Sequence, residues 1–436
     1  MKYAVVGSGV AGLAACEAIR SIDRNGEIFL LGDDPHGYYS RPGLAYYLTG
    51  EMHEKGLFPR TKRDWQSLKL QYINGRVTRI IPGEHRLEVG GGSSLEYDRL
   101  LIAVGAQAVR LNVPGANQEG VLKLDHLEDA RHILKLARRG KTAVVVGGGI
   151  TALELVEGLL SRKVKVHYLQ RGDRYWGNVL DEQESKIIEH RLQEDGVKIH
   201  HRAELTEVLG KHGRVQGVRL LDGRTLRCNI LAYAIGIRPR VGLAQDAGLA
   251  IDRGILANEF LQTNNPDIYV AGDVAQVYDP MSGRSIIDSL WGPAREQGYV
   301  AGLNMAGQET AYIKSPPFNV TRLAGLTTTI IGTVGRGRDE DLVGIARGDS
   351  ETWRALPDAI VAQTGFDVNR LRLLVGEKTL LGAIVMGDQK LSFPLEKIIS
   401  AHADISTIRD KLLQPGAPIA DIVADYWTTW RAQHAS

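Results

Sequence analysis

Two copies of one local plan, strand then glycine-rich turn then helix then strand, precede a terminal stretch of different character. This predicts an α/β chain of two Rossmann-like nucleotide-binding domains followed by an α+β domain. The first copy opens at Lys2–Val6, an apolar strand that runs into Gly7-Ser8-Gly9-Val10-Ala11-Gly12, a helical pattern over 13–19 and a strand over 27–31. The second has a strand over 143–146, the turn Gly147-Gly148-Gly149-Ile150-Thr151-Ala152, a helix through Leu160 and a strand over 163–169. At 436 residues the chain is too long for one core, and three domains are expected at roughly 100–200 residues each.

Between the copies, Arg86–Val89 and 95–98 flank Gly90-Gly91-Gly92-Ser93-Ser94 and read as a hairpin leading into an apolar strand over 100–104. Lys314-Ser315-Pro316-Pro317 is a breaker cluster that reads as a linker. Beyond it, strand-like runs at 327–332, 341–346, Arg370–Val375 and Leu380–Met386 precede helical patterns at 395–401 and 405–413, with no nucleotide fingerprint among them.

Composition removes several function classes. A net charge of +2 argues for neither nucleic acid nor a membrane surface as partner, and no run of about 18 apolar residues occurs, so a cytoplasmic location is expected. Cys16 and Cys228 suit neither a disulfide framework nor a metal site. The twelve histidines show no ligand spacing, so no metal is expected.

In each turn the chemistry follows from what glycine permits. Gly7 allows a tight turn, Gly9 lets a pyrophosphate approach the backbone, and Gly12 lets helix and strand pack closely, while the helix N-terminus offers unpaired N–H groups to phosphate. The strand after the first turn ends Leu31-Gly32-Asp33-Asp34, so Asp33 is the expected partner of the adenosine ribose hydroxyls. The second turn uses Gly147, Gly149 and Ala152, with Ile150 opening the helix, but its second strand ends Tyr168-Leu169-Gln170-Arg171-Gly172-Asp173-Arg174. With Gln170 in the acid's place no carboxylate repels a 2′-phosphate, and Arg171 and Arg174 could bind one. NADPH is therefore expected to be favoured over NADH.

With these turns the sequence resembles, over nearly its whole length, the two-dinucleotide-binding flavoproteins related to the pyridine nucleotide-disulfide oxidoreductases. Tyr97-Asp98-Arg99-Leu100-Leu101-Ile102-Ala103-Val104-Gly105-Ala106 is similar to that family's crossing between domains, and Ala234-Ile235-Gly236-Ile237-Arg238-Pro239 to its second copy. Thr263-Asn264-Asn265-Pro266-Asp267-Ile268-Tyr269-Val270-Ala271-Gly272-Asp273 is similar to the family segment whose closing aspartate bonds the FAD ribitol. The resemblance implies a glutathione-reductase-like order: an FAD domain over 1–110 and 230–310, an inserted NAD(P)H domain over 111–229, and a C-terminal interface domain over 317–436 that dimerises close relatives. It also implies that Trp291-Gly292-Pro293-Ala294 opens a helix facing the flavin ring, with Pro293 suited to a first turn. FAD contacts are implied at Ala11, Arg41, Pro42, Val77, Ala103, Gly105, Gly272, Asp273, Pro293 and Ala294, and NAD(P)H contacts at Glu154, which would position the nicotinamide, and Gly236.

One departure narrows the chemistry. Aligned on Gly43-Leu44-Ala45-Tyr46-Tyr47, Pro42 stands where the thiol-bearing branches keep a cysteine, so thiolate relay chemistry is excluded by composition. The Arg41-Pro42 element resembles rubredoxin reductase, the ferredoxin reductases of oxygenase systems and the flavin module of the nitrite reductase large subunit, and two cysteines cannot hold the iron–sulfur cluster that nitrite reduction needs. The resemblance implies hydride transfer from NAD(P)H to FAD, then electron transfer to a rubredoxin- or ferredoxin-like protein. An oxidase or quinone reductase using a small acceptor, and a redox-sensing flavoprotein, are the alternatives.

Overall fold

The protein is described by a computed structural model covering residues 1–280, 283–334 and 370–434; the strand-like run at 341–346 lies outside the described residues. By internal contacts it divides into two compact units, one of 1–171 and 196–314, the other of 172–195 with 315–334 and 370–434.

The first unit holds both nucleotide-type sheets. In one, parallel strands lie in the order Ile268–Val270, Arg99–Ile102, Lys2–Val6, Glu27–Gly32, Leu70–Asn74. Helices cover both faces of such a sheet, so its strands are apolar without alternation: Ala4 and Val5 at the centre are fully buried. Because Lys2–Val6 is central, the chain leaves to one side and returns on the other. The order reverses where Lys2–Val6 meets Arg99–Ile102, and a ligand crevice belongs at such a reversal. The other sheet repeats the plan, in the order Lys198–His200, Lys165–Leu169, Thr142–Val146, Ile230–Tyr233, Val121–Lys123. Ile230–Tyr233 thus pairs with the second sheet, and the return crossing falls after it rather than at 230. The two crossings lie side by side, Ala106–Ala108 pairing antiparallel with Ile237–Pro239.

The expected hairpin at 86–98 is present as Arg86–Val89 against Ser93–Glu96, with Val77–Ile81 as a third strand. Within this unit the helix Leu127–Leu136 is tied to Glu54, whose Oε1 accepts from Arg131 Nη2 at 2.5 Å and Oε2 from Arg131 Nε at 3.1 Å and Tyr47 Oη at 2.8 Å. The Arg131 guanidinium, then the Tyr47 hydroxyl, hold the Glu54 carboxyl down at about 2. A depressed acid stabilises the fold above its unfolded value of about 4.3 and loses that contribution as pH falls through its folded value. With a third of the Glu54 side chain exposed, Glu54→Gln is expected to cost only about 1 kcal/mol at neutral pH. In chemical unfolding curves that gap should close between pH about 4.3 and about 2; a gap that persists unchanged at the acid end would refute the ion pair as its source.

The second unit is an antiparallel sheet ordered Phe318–Leu323, Leu326–Gly332, Leu380–Met386, Arg370–Val375, followed by the helices Ser392–Ser400, Ser406–Leu412 and Ile419–His434, the last of which the sequence patterns did not show. Leu395, Ile398, Ile399, Ile405 and Val423 pack with Ala383 and Val385 as its core. The helix Glu182–Glu194, expected within the NAD(P)H domain, belongs to this unit instead. Charge explains the difference: Arg370 Nη2 donates to Asp181 Oδ2 at 2.6 Å, Arg372 Nε to Glu184 Oε1 at 2.8 Å, and Arg191 Nε to the Ala324 carbonyl at 2.8 Å.

Candidate flavin and nicotinamide nucleotide sites

The first turn is built so that no side chain fits where its glycines stand. A Cβ on Gly7, whose φ is +120°, would lie 2.1 Å from the Ala103 carbonyl oxygen, and one on Gly12 would lie 1.9 Å from that of Gly7. Gly9, the cap residue of the helix Val10–Ile22, offers no capping side chain, so the first N–H groups of that helix remain available to a ligand. A second helix, Trp291–Met305, crosses the first at backbone contact: a Cβ on Gly298 would stand 2.0 Å from the Ala11 carbonyl oxygen and one on Gly302 2.5 Å from that of Ala15. Gly272 sits between the two helix starts. A Cβ there would meet those of Ala11 at 3.2 Å and Ala294 at 3.7 Å, and its N–H donates to Gln297 Oε1 at 2.9 Å.

These elements enclose a groove of about 580 Å³ that runs into a smaller cavity of about 120 Å³, with Ser8, Gly9, Asp34, Arg41 and Asp273 among the residues lining both. Of the expected flavin residues, Gly7, Gly9, Ala11, Asp33, Arg41, Val77, Ala103, Gly105, Gly272, Asp273 and Ala294 line the groove, and Pro42 lines the cavity. Gly12 is buried behind Gly7, and Pro293 lies in the first turn of its helix, outside both linings.

Several lining residues are not among the expected ligand contacts. Arg76, Arg238 and Arg240 join Arg41 on the groove, and Tyr38, Tyr39, Asp125, Ser289 and Trp291 line the cavity. Arg76 Nε bonds Asp33 Oδ2 at 3.0 Å, so the expected ribose acid already has a cationic neighbour. Arg240 Nε is buried without a hydrogen-bond partner among the described residues, and burial, then the Arg41 cation, pulls this guanidinium below its usual range. A partly desolvated cation on the same groove as an uncapped helix start suits an anion. The donor set fits the pyrophosphate of a dinucleotide, held by the 7–12 turn with Arg41 and Arg240, and hydroxyl-bearing ligand atoms near Asp33 and Asp273.

The second turn repeats the steric logic. A Cβ on Gly147, φ +148°, would lie 2.3 Å from the Ala234 carbonyl oxygen, the counterpart of Gly7 against Ala103. Gly149 caps the helix Ile150–Ser161 without a side chain, Ile150 and Ala152 are fully buried, and Glu154 is 8% exposed inside that helix. Gly236, in the left-handed region, accepts from Val109 N–H at 2.9 Å and so joins the two crossings. Gln170 is enclosed at the end of its strand, 1% exposed, and neither side-chain polar atom has a partner among the described residues. Arg171 is exposed, whereas Arg174, in the other unit, bonds Asp173 Oδ1 at 3.2 Å and the Gly177 carbonyl at 3.0 Å.

The sequence profile of the pyridine nucleotide-disulphide oxidoreductase family matches residues 1–298. The chain belongs to this family. Its family is one of FAD-dependent NAD(P)H oxidoreductases. It is 26% identical to a nitrite reductase [NAD(P)H] of Bacillus subtilis over 95% of its own length and 49% of that protein's, and so spans about half of that relative. It is 30% identical to the ferredoxin–NAD(+) reductase component of the 3-phenylpropionate/cinnamic acid dioxygenase of Photorhabdus laumondii, over 70% of this chain and 77% of the relative. In fold it matches the reductase of the covalent putidaredoxin reductase–putidaredoxin complex with a TM-score of 0.80 at 22% identity, covering 97% of this chain and 98% of that one.

Proposed function

We propose that this oxidoreductase takes a hydride from NADPH in preference to NADH and passes its two electrons, singly, to a small ferredoxin- or rubredoxin-type protein. The observation that carries the reading is the residue at the cavity turn: Pro42 lines the cavity, while Cys16 is fully buried in the Val10–Ile22 helix and Cys228 is 3% exposed. Burial pushes both thiols up to about 12. Neither offers a thiolate at neutral pH, so electrons leave from the flavin itself. Bound FAD supplies a hydride acceptor able to release electrons one at a time.

The chain's own residues orient and shield. The helices starting at Val10 and Trp291 aim their N-terminal dipoles into the cavity, and Glu154 positions the nicotinamide from the Ile150–Ser161 helix. The ferredoxin reductase among its relatives supports an iron–sulfur acceptor. Stopped-flow reduction by NADPH followed by mixing with rubredoxin, ferredoxin, quinone or O₂ tests the reading. Fast reoxidation by an iron-carrying protein is expected, and reoxidation fastest with O₂ would overturn it.

The coenzyme preference rests on Arg171, exposed beside an uncharged Gln170. Arg171→Ala is expected to lower kcat/KM for NADPH about tenfold, equivalent to about 1.4 kcal/mol, with little change for NADH. A wild-type protein that prefers NADH tenfold or more would end this assignment.

A further inference from the structure

When single-electron acceptors take what a hydride brings, the balance is NAD(P)H plus two oxidised acceptors giving NAD(P)⁺, two reduced acceptors and one proton. On the one-electron reading above, that proton has to cross from the cavity to solvent in every turnover.

The cavity wall contains a carboxylate connected outward. Asp125 lines the cavity beside Tyr39, Arg41 and Pro42, its side chain only 4% exposed, and its Oδ2 accepts from Ala108 N–H at 3.2 Å. His126 Nε2 lies 3.4 Å from the same Oδ2; Nδ1 is buried, so the 35% exposed imidazole meets the buried carboxylate and water on its Nε2 side. Lys123 Nζ stands 3.7 Å from Asp125 and 2.8 Å from Asp129, and keeps the buried acid compensated. The charged groups acting on His126 come from every side: Asp125 next to it, Lys123 on the Val121–Lys123 strand, Asp129 on the Leu127–Leu136 helix and Arg41 from the turn before Gly43–Thr49.

We propose that Asp125 and His126 form the exit route for the proton of each hydride. Asp125 Oδ2 takes the proton and passes it to His126 Nε2, the imidazolium turns that same N–H to water and releases it, and both residues regain their starting charges. Burial, against the opposing pull of Asp125, holds the imidazole below its ordinary range, so it is neutral and ready to accept at pH 7. A purely structural role is the competing account, since His126 is also the cap residue of the Leu127–Leu136 helix and Asp125 anchors Ala108.

The test mixes NADPH-reduced holoprotein with ferricyanide, a single-electron acceptor, and follows flavin colour and a pH indicator together. His126→Gln is expected to slow reoxidation and proton appearance about 10- to 100-fold, raise the solvent deuterium isotope effect and be rescued by added imidazole, with hydride uptake unaltered. Asp125→Asn, which retains an acceptor for Ala108, should slow release in the same way without rescue, and should lower the NMR titration midpoint of His126. Wild-type rates and isotope effect in His126→Gln would overturn the route, as would a His126 midpoint indifferent to Asp125→Asn. Ferricyanide decides this whatever the natural partner is; rubredoxin reoxidising the flavin no faster than O₂ would instead count against the partner reading.

Discussion

Gly298→Val is expected to yield a protein that loses its flavin on gel filtration and melts at lower temperature. Even the first added carbon would lie 2.0 Å from the Ala11 carbonyl oxygen, a backbone atom of the opposing helix that no rotamer change can move. The helices Val10–Ile22 and Trp291–Met305 would have to separate by more than an ångström, and the Gly302 contact with Ala15 one turn on would open with it. Overpacking of this kind costs about 1–3 kcal/mol in a core, and more where backbone meets backbone. The larger loss is functional, because both helix starts border the ligand groove and Gly272 is held between Ala11 and Ala294. Flavin absorbance per protein and the melting temperature with and without added FAD are the measurements. A variant that retains wild-type flavin content and Tm would show that the crossing is not what shapes the site.

In the second unit, Arg372→Met should be the most damaging single change. Arg372 donates through Nε to Glu184 Oε1 at 2.8 Å, through Nη2 to the Val179 carbonyl at 2.7 Å and through Nη1 to the Val334 carbonyl at 3.0 Å, and the Glu184 side chain is fully buried. A buried charge left wholly unpaired costs about 3–5 kcal/mol, and this variant should lose a part of that. The Asp181 N–H, 2.8 Å from Glu184 Oε2, and Arg370 Nε at 3.7 Å from Oε1 moderate this but do not replace a direct ion pair. Unfolding should shift for this unit while flavin content stays at the wild-type level, and adding Glu184→Gln should recover part of the loss. A single variant as stable as the parent would show that Arg370 and the Asp181 N–H suffice for the carboxyl.

Both glycine turns were legible in the sequence because their determinants are local. Glycine spacing, the flanking apolar strand and the helix start all lie within about twenty residues, and the positions of Gly7, Gly12 and Gly147 in the structure give each glycine a steric reason. What escaped reading depends on distant partners. Arg76 reaches Asp33 because Leu70–Asn74 pairs with Glu27–Gly32, and no motif announces that pairing. Arg240 follows the second crossing, where Arg238-Pro239 was already recognised, and the antiparallel match of the two crossings was the available clue. Asp125 and His126 precede an ordinary amphipathic helix and carry no spacing signal. The allegiance of Glu182–Glu194 was equally hidden, since it is decided by arginines nearly two hundred residues later, at 370 and 372. Gln170 shows a subtler limit: the residue type was read, but not its enclosure, which depends on the backbone of 200–203 closing over the strand end.

The sheet order also sets a timetable for synthesis. Every strand of the second sheet lies between residues 121 and 233, so that sheet is complete as soon as its own stretch of chain has emerged. The first sheet waits: its edge strand Ile268–Val270 pairs with Arg99–Ile102 across a long insertion, and the helix that backs the groove runs to Met305. On the ribosome the second sheet therefore matures first, and the first sheet, though begun at Lys2, is finished last. Until then the uncapped turn at 7–12 has no opposing helix, and a nascent chain stalled before residue 291 lacks the wall that would retain the cofactor.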